Sequence, residues 1–184
     1  MYASKKLRND KEIVLEASIE TFLKIRWPRP LAYATDKLKN DKKFILEVMK
    51  ISSGDELEFI PEILKNDKEV VIEAMKRNGN ALRYASKELK KDKEVVIEAV
   101  KNEGTALRHA TEVYGELKND KELIVEAVKS NGNALCYASE ELKNDKEVVM
   151  EAVKFFGGAF RYASGELKSD KEFILAVAKD DEGR

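Results

Sequence analysis

The chain has 184 residues, enough for one or two ordinary domains. Hydrophobic residues make up 43% and charged residues 38%, so the chain can bury a core and keep a strongly hydrated surface. The net charge of −1 argues against a protein built mainly to neutralise phosphates. No apolar stretch approaches the roughly 20 residues of a membrane span, the N-terminus lacks the apolar core of a signal peptide, and the single Cys136 excludes an internal disulfide. We expect a soluble intracellular protein, cytoplasmic by default, without membrane insertion.

A tripeptide that begins with aspartate recurs along the whole chain. It reads DKE in six places and DKK in one, and successive aspartates are 31, 26, 25, 28, 25 and 25 residues apart. A period of about 25 residues predicts a stacked repeat architecture, here one continuous domain over residues 1–184. The seven anchor aspartates are Asp10, Asp41, Asp67, Asp92, Asp120, Asp145 and Asp170.

Each unit reads as two helices, which we call helix B and helix A. In residues 67–91, helix B is the run KEVVIEAMKRN between Asp67 and Gly79, because an Asp and a Gly in these places are start and stop signals. Asn66 is an alternative N-cap. Lys replaces that Asn in one unit, whereas the aspartate is present in all seven. We therefore assign the N-cap to the aspartate and expect the glycine to act as a C-cap.

Helix B has an apolar arc of about 200°, which predicts a helix packed between two neighbours. An alanine recurs within this arc and would let helices approach closely, at Ala17, Ala74, Ala99, Ala127 and Ala152. Helix A is the run NALRYASKELK, about ten residues with a narrower apolar face. Such a short helix is marginal in water, so the pair must be stabilised by stacking on the next pair. The predicted fold is all-α, an α-solenoid of about seven helical hairpins whose hand and curvature stay open.

Several units depart from the pattern. The first unit starts in the middle of helix A, and its helix B has no Gly stop, so we expect that helix to run towards Arg26 before a non-helical corner at Trp27. Pro61 stands where other units have Ser or Thr, which predicts a kink or a late start in that helix A. The fifth unit has three extra residues around TEVYGEL. Three acidic residues, Asp180 to Glu182, oppose the helix dipole and should fray the last helix.

The string G-N-A-L-x-Y-A-S-x-E-L-K-x-D-K-E-V-V-x-E-A-V-K is carried by residues 79–101 and 132–154, with weaker copies along almost the whole chain. It resembles the repeat family called domain of unknown function 4116, whose members occur in tandem. The resemblance implies tandem helical repeats. Because that family has no assigned function, it supplies no catalytic or binding residues.

The sequence holds no constellation of nucleophile, base or metal ligands. His109 fills a slot that is Tyr elsewhere and is expected to be a partly exposed aromatic-slot residue. Cys136 fills the slot of an Arg and is expected to be exposed and inert. Carboxylates such as Glu69 and Glu73 alternate with Lys and Arg, which is typical of a solvated helix face, and the GGAF run at Gly157 is too short to cradle a phosphate. We predict no enzyme activity, no catalytic residue, no metal and no cofactor.

One slot of helix A is aromatic in every unit. It holds Tyr2, Tyr33, Phe59, Tyr84, His109, Tyr137 and Tyr162, and the preceding slot holds Arg83, Arg108 and Arg161. These rings either seal one unit against the next or form a contact surface, since aromatic side chains and Arg are common interface anchors. A base-stacking platform would need a basic stripe that the balanced charge does not indicate. The candidate partner-binding residues are Trp27, Tyr33, Arg83, Tyr84, Arg108, His109, Tyr137, Arg161 and Tyr162.

The pattern as a whole favours a non-enzymatic scaffold or adaptor for protein–protein interaction. The alternative is a structural subunit of a larger assembly, because the shortened first unit and Ala176 on an otherwise polar helix face indicate covered ends. A nucleic-acid-binding repeat is a third hypothesis, and no nucleic acid is expected as a partner. The sequence leaves the protein partner, the binding face and the oligomeric state open.

Overall fold

A computed structural model describes residues 5–23 and 30–182, with side chains for residues 6–19 and 30–179. The regular structure in these ranges is all helical and includes no β-strand, so the prediction of an all-α fold is confirmed. In this part of the chain a long helix follows every anchor aspartate. The long helices are α1 (Lys11–Leu23), α2 (Lys42–Ile51), α3 (Lys68–Arg77), α4 (Lys93–Asn102), α5 (Lys121–Ser130), α6 (Lys146–Phe155) and α7 (Lys171–Glu182).

The remaining helical pieces are short. The 3₁₀ segments are Asp55–Phe59, Gly79–Tyr84, Leu89–Lys91, Gly104–Ala106, Gly115–Asn119, Gly132–Tyr137 and Gly157–Tyr162. The short α-helices are Lys5–Arg8, Pro30–Tyr33, Asp36–Lys39, Glu62–Lys65, Leu107–Thr111, Glu140–Lys143 and Gly165–Ser169. Each unit comprises the short pieces, the anchor aspartate and the long helix after it. Positions are counted from the anchor, so that the first residue of each long helix is at +1.

The anchor aspartate caps the long helix that comes after it. Asp92 has an extended backbone, and its side chain accepts hydrogen bonds from the N–H groups of Glu94 and Val95, at 3.0 and 3.3 Å. This satisfies donors that a helix N-terminus otherwise leaves unpaired. The residues at +3, +4, +7 and +8 of α4 are fully buried, and each long helix packs on the next one along the chain. The wide apolar arc is therefore covered from two sides.

The prediction of a continuous helix A is wrong, because the chain breaks in the middle of that segment. In the fourth unit a 3₁₀ segment ends at Tyr84, and Ala85 has an extended backbone with φ −63° and ψ 157°. The hydroxyl of Ser86 then accepts the N–H of Leu89 at 3.1 Å. A serine that can bond the backbone of the next turn competes with helix continuation. The repeated Ala-Ser pair thus ends one short piece and begins the next.

Pro61 marks the same break and is no exception to it. The sequence predicted a kinked or late helix in that unit, and the short helix Glu62–Lys65 does begin directly after Pro61. The backbone angles of Pro61, φ −62° and ψ 152°, match those of Ser139 in the sixth unit, φ −66° and ψ 160°. A proline here therefore occupies a residue that is extended in other units as well, and the penalty for a mid-helix proline does not arise.

Three glycines that follow long helices, Gly79, Gly104 and Gly132, act through close packing and are not left-handed C-caps. Among the described residues only Gly54 has a positive φ, of 83°. A Cβ atom built on Gly79 would lie 2.1 Å from the carbonyl oxygen of Ala99, and one on Gly132 would lie 2.4 Å from that of Ala152. The recurrent alanine and the recurrent glycine therefore meet, and the glycine allows backbone to touch backbone.

Lysine side chains join consecutive units along the line of anchors, in an arrangement that we call the lysine ladder. The lysine at +1 of one unit contacts the anchor carboxylate of the next, and in four junctions it also contacts the glutamate at +2 of that next unit. The DKE tripeptide thus supplies both partners of a repeated ion pair. The N–O distances are 2.6 Å for Lys11–Asp41, 2.7 Å for Lys42–Asp67, 2.8 Å for Lys68–Asp92, 2.8 Å for Lys93–Asp120, 2.7 Å for Lys121–Asp145 and 2.7 Å for Lys146–Asp170.

In the ladder pair Asp92 and Lys68, the pKa values of both groups shift in the direction that favours the charged forms. Burial by itself raises the pKa of Asp92, but the hydrogen bonds from Lys68 and from the Val95 N–H outweigh it, so that the pKa lies below the usual value. Hydrogen bonds to Asp92 and Glu94 raise the pKa of Lys68. Asp92 and Lys68 are therefore both charged at neutral pH. Because solvent screens exposed pairs of this kind, each one alone contributes little to stability.

A second set of contacts joins the short pieces of consecutive units. The N–H of Ser86 donates to the carbonyl oxygen of Lys65 at 3.0 Å, and the Ser86 hydroxyl donates to Asn66 Oδ1 at 2.6 Å. Ser164 makes the same two bonds, to the Lys143 carbonyl and to Asn144. The asparagine before the anchor, which the sequence offered as an alternative N-cap, is thus used between units.

Predictions were also made for the first and last long helices, and the structure differs from the prediction for the last one. Helix α1 is helical to Leu23, and its predicted extension towards Arg26 and the Trp27 corner lie outside the described residues. Helix α7 continues to Glu182, so the acidic residues that were expected to fray it are helical.

Candidate partner-binding surface

The aromatic slot lies at the end of the 3₁₀ segments. Tyr84, Tyr137 and Tyr162 are each the last residue of such a segment, and each ring is half-buried. A buried Ala-Leu pair anchors the segment, as in Ala81 and Leu82. Successive 3₁₀ segments contact one another along the chain. The slots of neighbouring units therefore lie on the same side of the molecule.

In two units the arginine stacks on the tyrosine next to it in the chain. The guanidinium of Arg83 lies 4.5 Å from the ring centroid of Tyr84, and that of Arg161 lies 4.6 Å from the ring centroid of Tyr162. Arg83 also donates to Asp55 Oδ1 of the preceding unit, at 3.2 Å. A cation over an exposed aromatic face gains about 0.5–1 kcal/mol. These arginines are exposed, but their guanidinium groups are already engaged within the protein.

The fifth unit replaces this stack by a histidine, and the expectation that His109 is partly exposed is wrong. His109 is 9% exposed, and its Nε2 accepts a hydrogen bond from Arg108 Nε at 3.2 Å. Burial, together with the charge of Arg108, lowers the pKa of His109 from 6.5 to about 4. The ring is therefore neutral at physiological pH. The ring accepts the hydrogen bond from Arg108 and, because it is buried, offers no surface of its own to a partner.

Arg108 and Tyr137 meet in an open cleft of about 370 Å³ between the fifth and sixth units. Lys118, Lys143, Glu112 and Glu140 also line it. Lys143 pairs with Glu140 at 2.8 Å. Within the described residues no carboxylate forms an ion pair with Arg108 or Lys118. The cleft therefore places a half-buried tyrosine beside two cations and the carboxylate of Glu112, and neither cation forms an ion pair within the described part of the molecule.

Cys136 also lines this cleft, and the expectation that it is exposed is wrong. The thiol is partly buried, and this burial raises its pKa above the ordinary value. Burial likewise raises the pKa of the neighbouring Tyr137. A thiol with a raised pKa stays protonated at neutral pH and is a poor nucleophile. At this position the side chain serves as a small apolar wall.

The other candidate residues lie apart from the cleft. Tyr33 ends the short helix Pro30–Tyr33 in the second unit and is 41% exposed. Trp27 and Tyr2 lie outside the described residues. The structure thus brings together Arg108 and Tyr137, and it places the pairs Arg83–Tyr84 and Arg161–Tyr162 in the units on either side.

Sequence reasoning missed the lysines that complete the cleft. Lys118 lies in the 3₁₀ segment Gly115–Asn119, directly after the three extra residues of the fifth unit. The insertion was visible in the sequence as a 28-residue spacing between anchors. This insertion within the fifth unit was the signal that the surface changes there.

Neither a metal site nor a membrane-spanning helix is found in the described part of the chain. Residues 5–23 and 30–182 hold no group of three or more His, Cys, Asp or Glu side chains placed to bind a metal ion. The same residues hold no helix whose length and apolar character would let it cross a bilayer.

The comparisons with known proteins identify the repeats. No curated protein and no solved structure matches the chain. The profile of the family described as domain of unknown function (DUF4116) matches four times in tandem, at residues 52–90, 67–114, 113–143 and 145–181. These matches cover more than half of the chain and bear out the resemblance seen in its repeated motif. The chain belongs to the DUF4116 family.

Proposed function

We propose that this chain is a non-enzymatic protein-interaction scaffold or adaptor. Its seven units form one continuous α-solenoid, in which each unit is held mainly by its neighbours. This arrangement is supported by the packing of each long helix on the next and by the repeated ion pairs and backbone hydrogen bonds at successive junctions. An extended stack of this kind offers a long surface on which a partner can lie.

The observation that carries the proposal is the cleft between the fifth and sixth units. It places the ring of Tyr137 beside the cations of Arg108 and Lys118, neither of which has a carboxylate partner in the described residues. Tyrosine and arginine at the centre of a contact supply much of the binding energy in protein interfaces. The partner that fits is a protein segment that carries an acidic side chain next to an apolar one.

The test is affinity purification of the tagged chain from its source cells at low salt, followed by mass spectrometry and titration calorimetry with the purified partner. The variant Arg108→Ala with Tyr137→Ala should weaken binding about tenfold or more, since two interface anchors worth about 1 kcal/mol each are lost. The matched control is Lys50→Ala with Lys101→Ala, which changes two exposed lysines on long helices away from the cleft.

Three outcomes contradict the proposal. One is equal binding by the cleft variant and the control variant, which would place the contact elsewhere. Another is recovery of the chain without any stoichiometric protein. The third is retention on a polyanion column up to high salt, with nucleic acid as the only species bound, which would favour the nucleic-acid hypothesis.

A structural subunit is the second candidate, favoured by one observation. Apolar side chains are exposed on α7, where Ile174 is 38% and Leu175 61% exposed. An exposed apolar face is a typical contact site for a neighbouring protein. Under this hypothesis the chain purifies with the same neighbour whether or not the cleft is altered.

A further inference from the structure

The first and last long helices are each open on one side, and the open sides are opposite. In α2 to α6 every side chain at +3 and +4 has 0% exposure. In α1, the +3 residue Ile13 is 40% exposed while the +4 residue Val14 is 5% exposed. In α7 the order is reversed, with Phe173 at 5% and Ile174 at 38%. The +3 side chain therefore faces the preceding unit, and the +4 side chain faces the next one.

Contacts at two junctions support this assignment of faces. The Lys11 Nζ of the first unit lies 5.7 Å from the ring centroid of Phe44, which is at +3 of the second unit. The Lys146 Nζ of the sixth unit lies 5.9 Å from the ring centroid of Phe173, at +3 of the seventh. In both cases the +1 lysine of one unit covers the +3 side chain of the next.

The charges of the two open faces are complementary. On the α7 face, Lys171 is at +1, and no carboxylate among the described side chains pairs with it. On the α1 face, Asp10 is the anchor and Glu12 is at +2, and no lysine among the described side chains pairs with either of them. At the junctions between units, groups at these three positions form the lysine ladder. One face offers the cation of a ladder contact, and the other offers its two anions.

We propose that the α7 face of one molecule binds the α1 face of a second copy of the chain. Lys171 then contacts Asp10 and Glu12 of that copy, while Ile174 is covered as +4 residues are at every other junction. This interface repeats the packing between neighbouring units. The partner is a second copy of the chain, because the same contacts already join one unit to the next within the chain. A head-to-tail contact of this kind is heterologous, and it extends into a filament or closes into a ring.

Sedimentation velocity of the full chain, from low to high micromolar concentration, tests the proposal. The weight-average mass should rise with concentration above the 20.9 kDa of the monomer. The variant Ile13→Glu should abolish this rise by altering the α1 face, and Ile174→Glu with Leu175→Glu should abolish it by altering the α7 face. The control is Ile63→Glu, a residue 75% exposed on a short helix of the third unit, which should leave the rise unchanged. All four positions are exposed, and circular dichroism verifies that each variant is helical.

Mixing the two end variants gives a result that only head-to-tail contact predicts. The Ile13→Glu chain keeps its α7 face, and the Ile174→Glu, Leu175→Glu chain keeps its α1 face. Each variant alone stays monomeric, whereas an equimolar mixture forms dimers and nothing larger. Three results overturn the proposal: a monomeric wild-type chain at every concentration, self-association that survives Ile13→Glu, or a mixture of the end variants that stays monomeric. The second of these would indicate contact between two α7 faces.

Discussion

Replacement of Gly79 by alanine should destabilise the whole stack, because this glycine lies against the backbone of α4. A Cβ atom at Gly79 would lie 2.1 Å from the Ala99 carbonyl oxygen, 3.0 Å from its carbonyl carbon and 3.1 Å from the Glu103 nitrogen. Ordinary contacts between carbon and other heavy atoms lie near 3.5–4.0 Å. All three neighbours are backbone atoms, so no side-chain rotation can relieve the overlap. Helix α4 must shift by more than about 1 Å.

The free energy lost can be worked out from that displacement. Overpacking of a well-packed core forces shifts of side chains and backbone that cost about 1–3 kcal/mol, and occasionally more. We therefore expect Gly79→Ala to lower the free energy of unfolding by about 3 kcal/mol. For a chain of this length 1 kcal/mol corresponds to about 2–4 °C, so the midpoint of thermal unfolding should fall by about 6–12 °C.

Urea and thermal unfolding monitored by circular dichroism at helical wavelengths measure both quantities. The matched control is Gly165→Ala, because Gly165 begins a short helix and a Cβ there meets nothing within 4 Å. The control should be neutral or should stabilise the protein by about 0.4–1 kcal/mol, since alanine restricts the unfolded chain. If Gly79→Ala unfolds within about 0.5 kcal/mol of the control, close approach is not the reason for this glycine.

Three further predictions concern single positions. Asp92→Asn keeps a good N-cap but loses the ion pair with Lys68, so it should lower the unfolding free energy by about 0.2–1 kcal/mol at pH 7. Because the folded pKa of Asp92 lies below 3.8, the difference from wild type should vanish as the pH falls through that folded value. Urea unfolding midpoints measured as a function of pH test this. The folded pKa of His109 lies below its unfolded value of 6.5, so its contribution to stability is present above pH 6.5 and is lost as the pH falls towards 4. His109→Gln should remove the pH dependence of the unfolding free energy that this histidine causes. A wild-type slope of unfolding free energy against pH between 4 and 6.5 in the variant would contradict the assignment. Pro61→Ser should change stability by less than about 1 kcal/mol, since both residues fit an extended break, whereas a gain of about 3 kcal/mol would mean that Pro61 interrupts a helix.

The long helices could be predicted from the sequence because their signals are local. An aspartate that can cap a helix, and an apolar arc after it, determine where a helix such as α4 begins and which of its residues are buried. Those two features were enough to predict the capping bonds of Asp92 and the burial of Val95 and Val96. The regular spacing of the anchor aspartates was enough to predict the repeats. That prediction did not require knowing which helices pack against each other.

The rest depended on contacts between elements that are distant in the sequence, which periodicity does not encode. Gly79 is needed because it lies against the backbone of Ala99, twenty residues away. The sequence marked the glycine, but the prediction gave it the role of a C-cap. The break at Ser86 was not predicted, because a serine in a helical pattern fits either a continuous helix or a break with a new N-cap. Pro61 at the same position of another unit favoured the break. His109 was placed in the right slot, but its burial is decided by neighbouring elements. The cleft at Tyr137 required the fifth and sixth units to be placed side by side.

The lysine ladder and the glycine–alanine contact obey the same positional rule at successive units, and this rule makes units exchangeable. Removal of residues 120–144 would bring Lys93 opposite Asp145 and Glu147 in place of Asp120 and Glu122. It would also bring Gly104 opposite Ala152 in place of Ala127. The ion pairs and the glycine–alanine contact at the new junction have the chemistry of the old ones. In such a chain the gain or loss of a whole 25-residue block preserves the remaining packing, so array length can vary in evolution while the fold of each block stays constant.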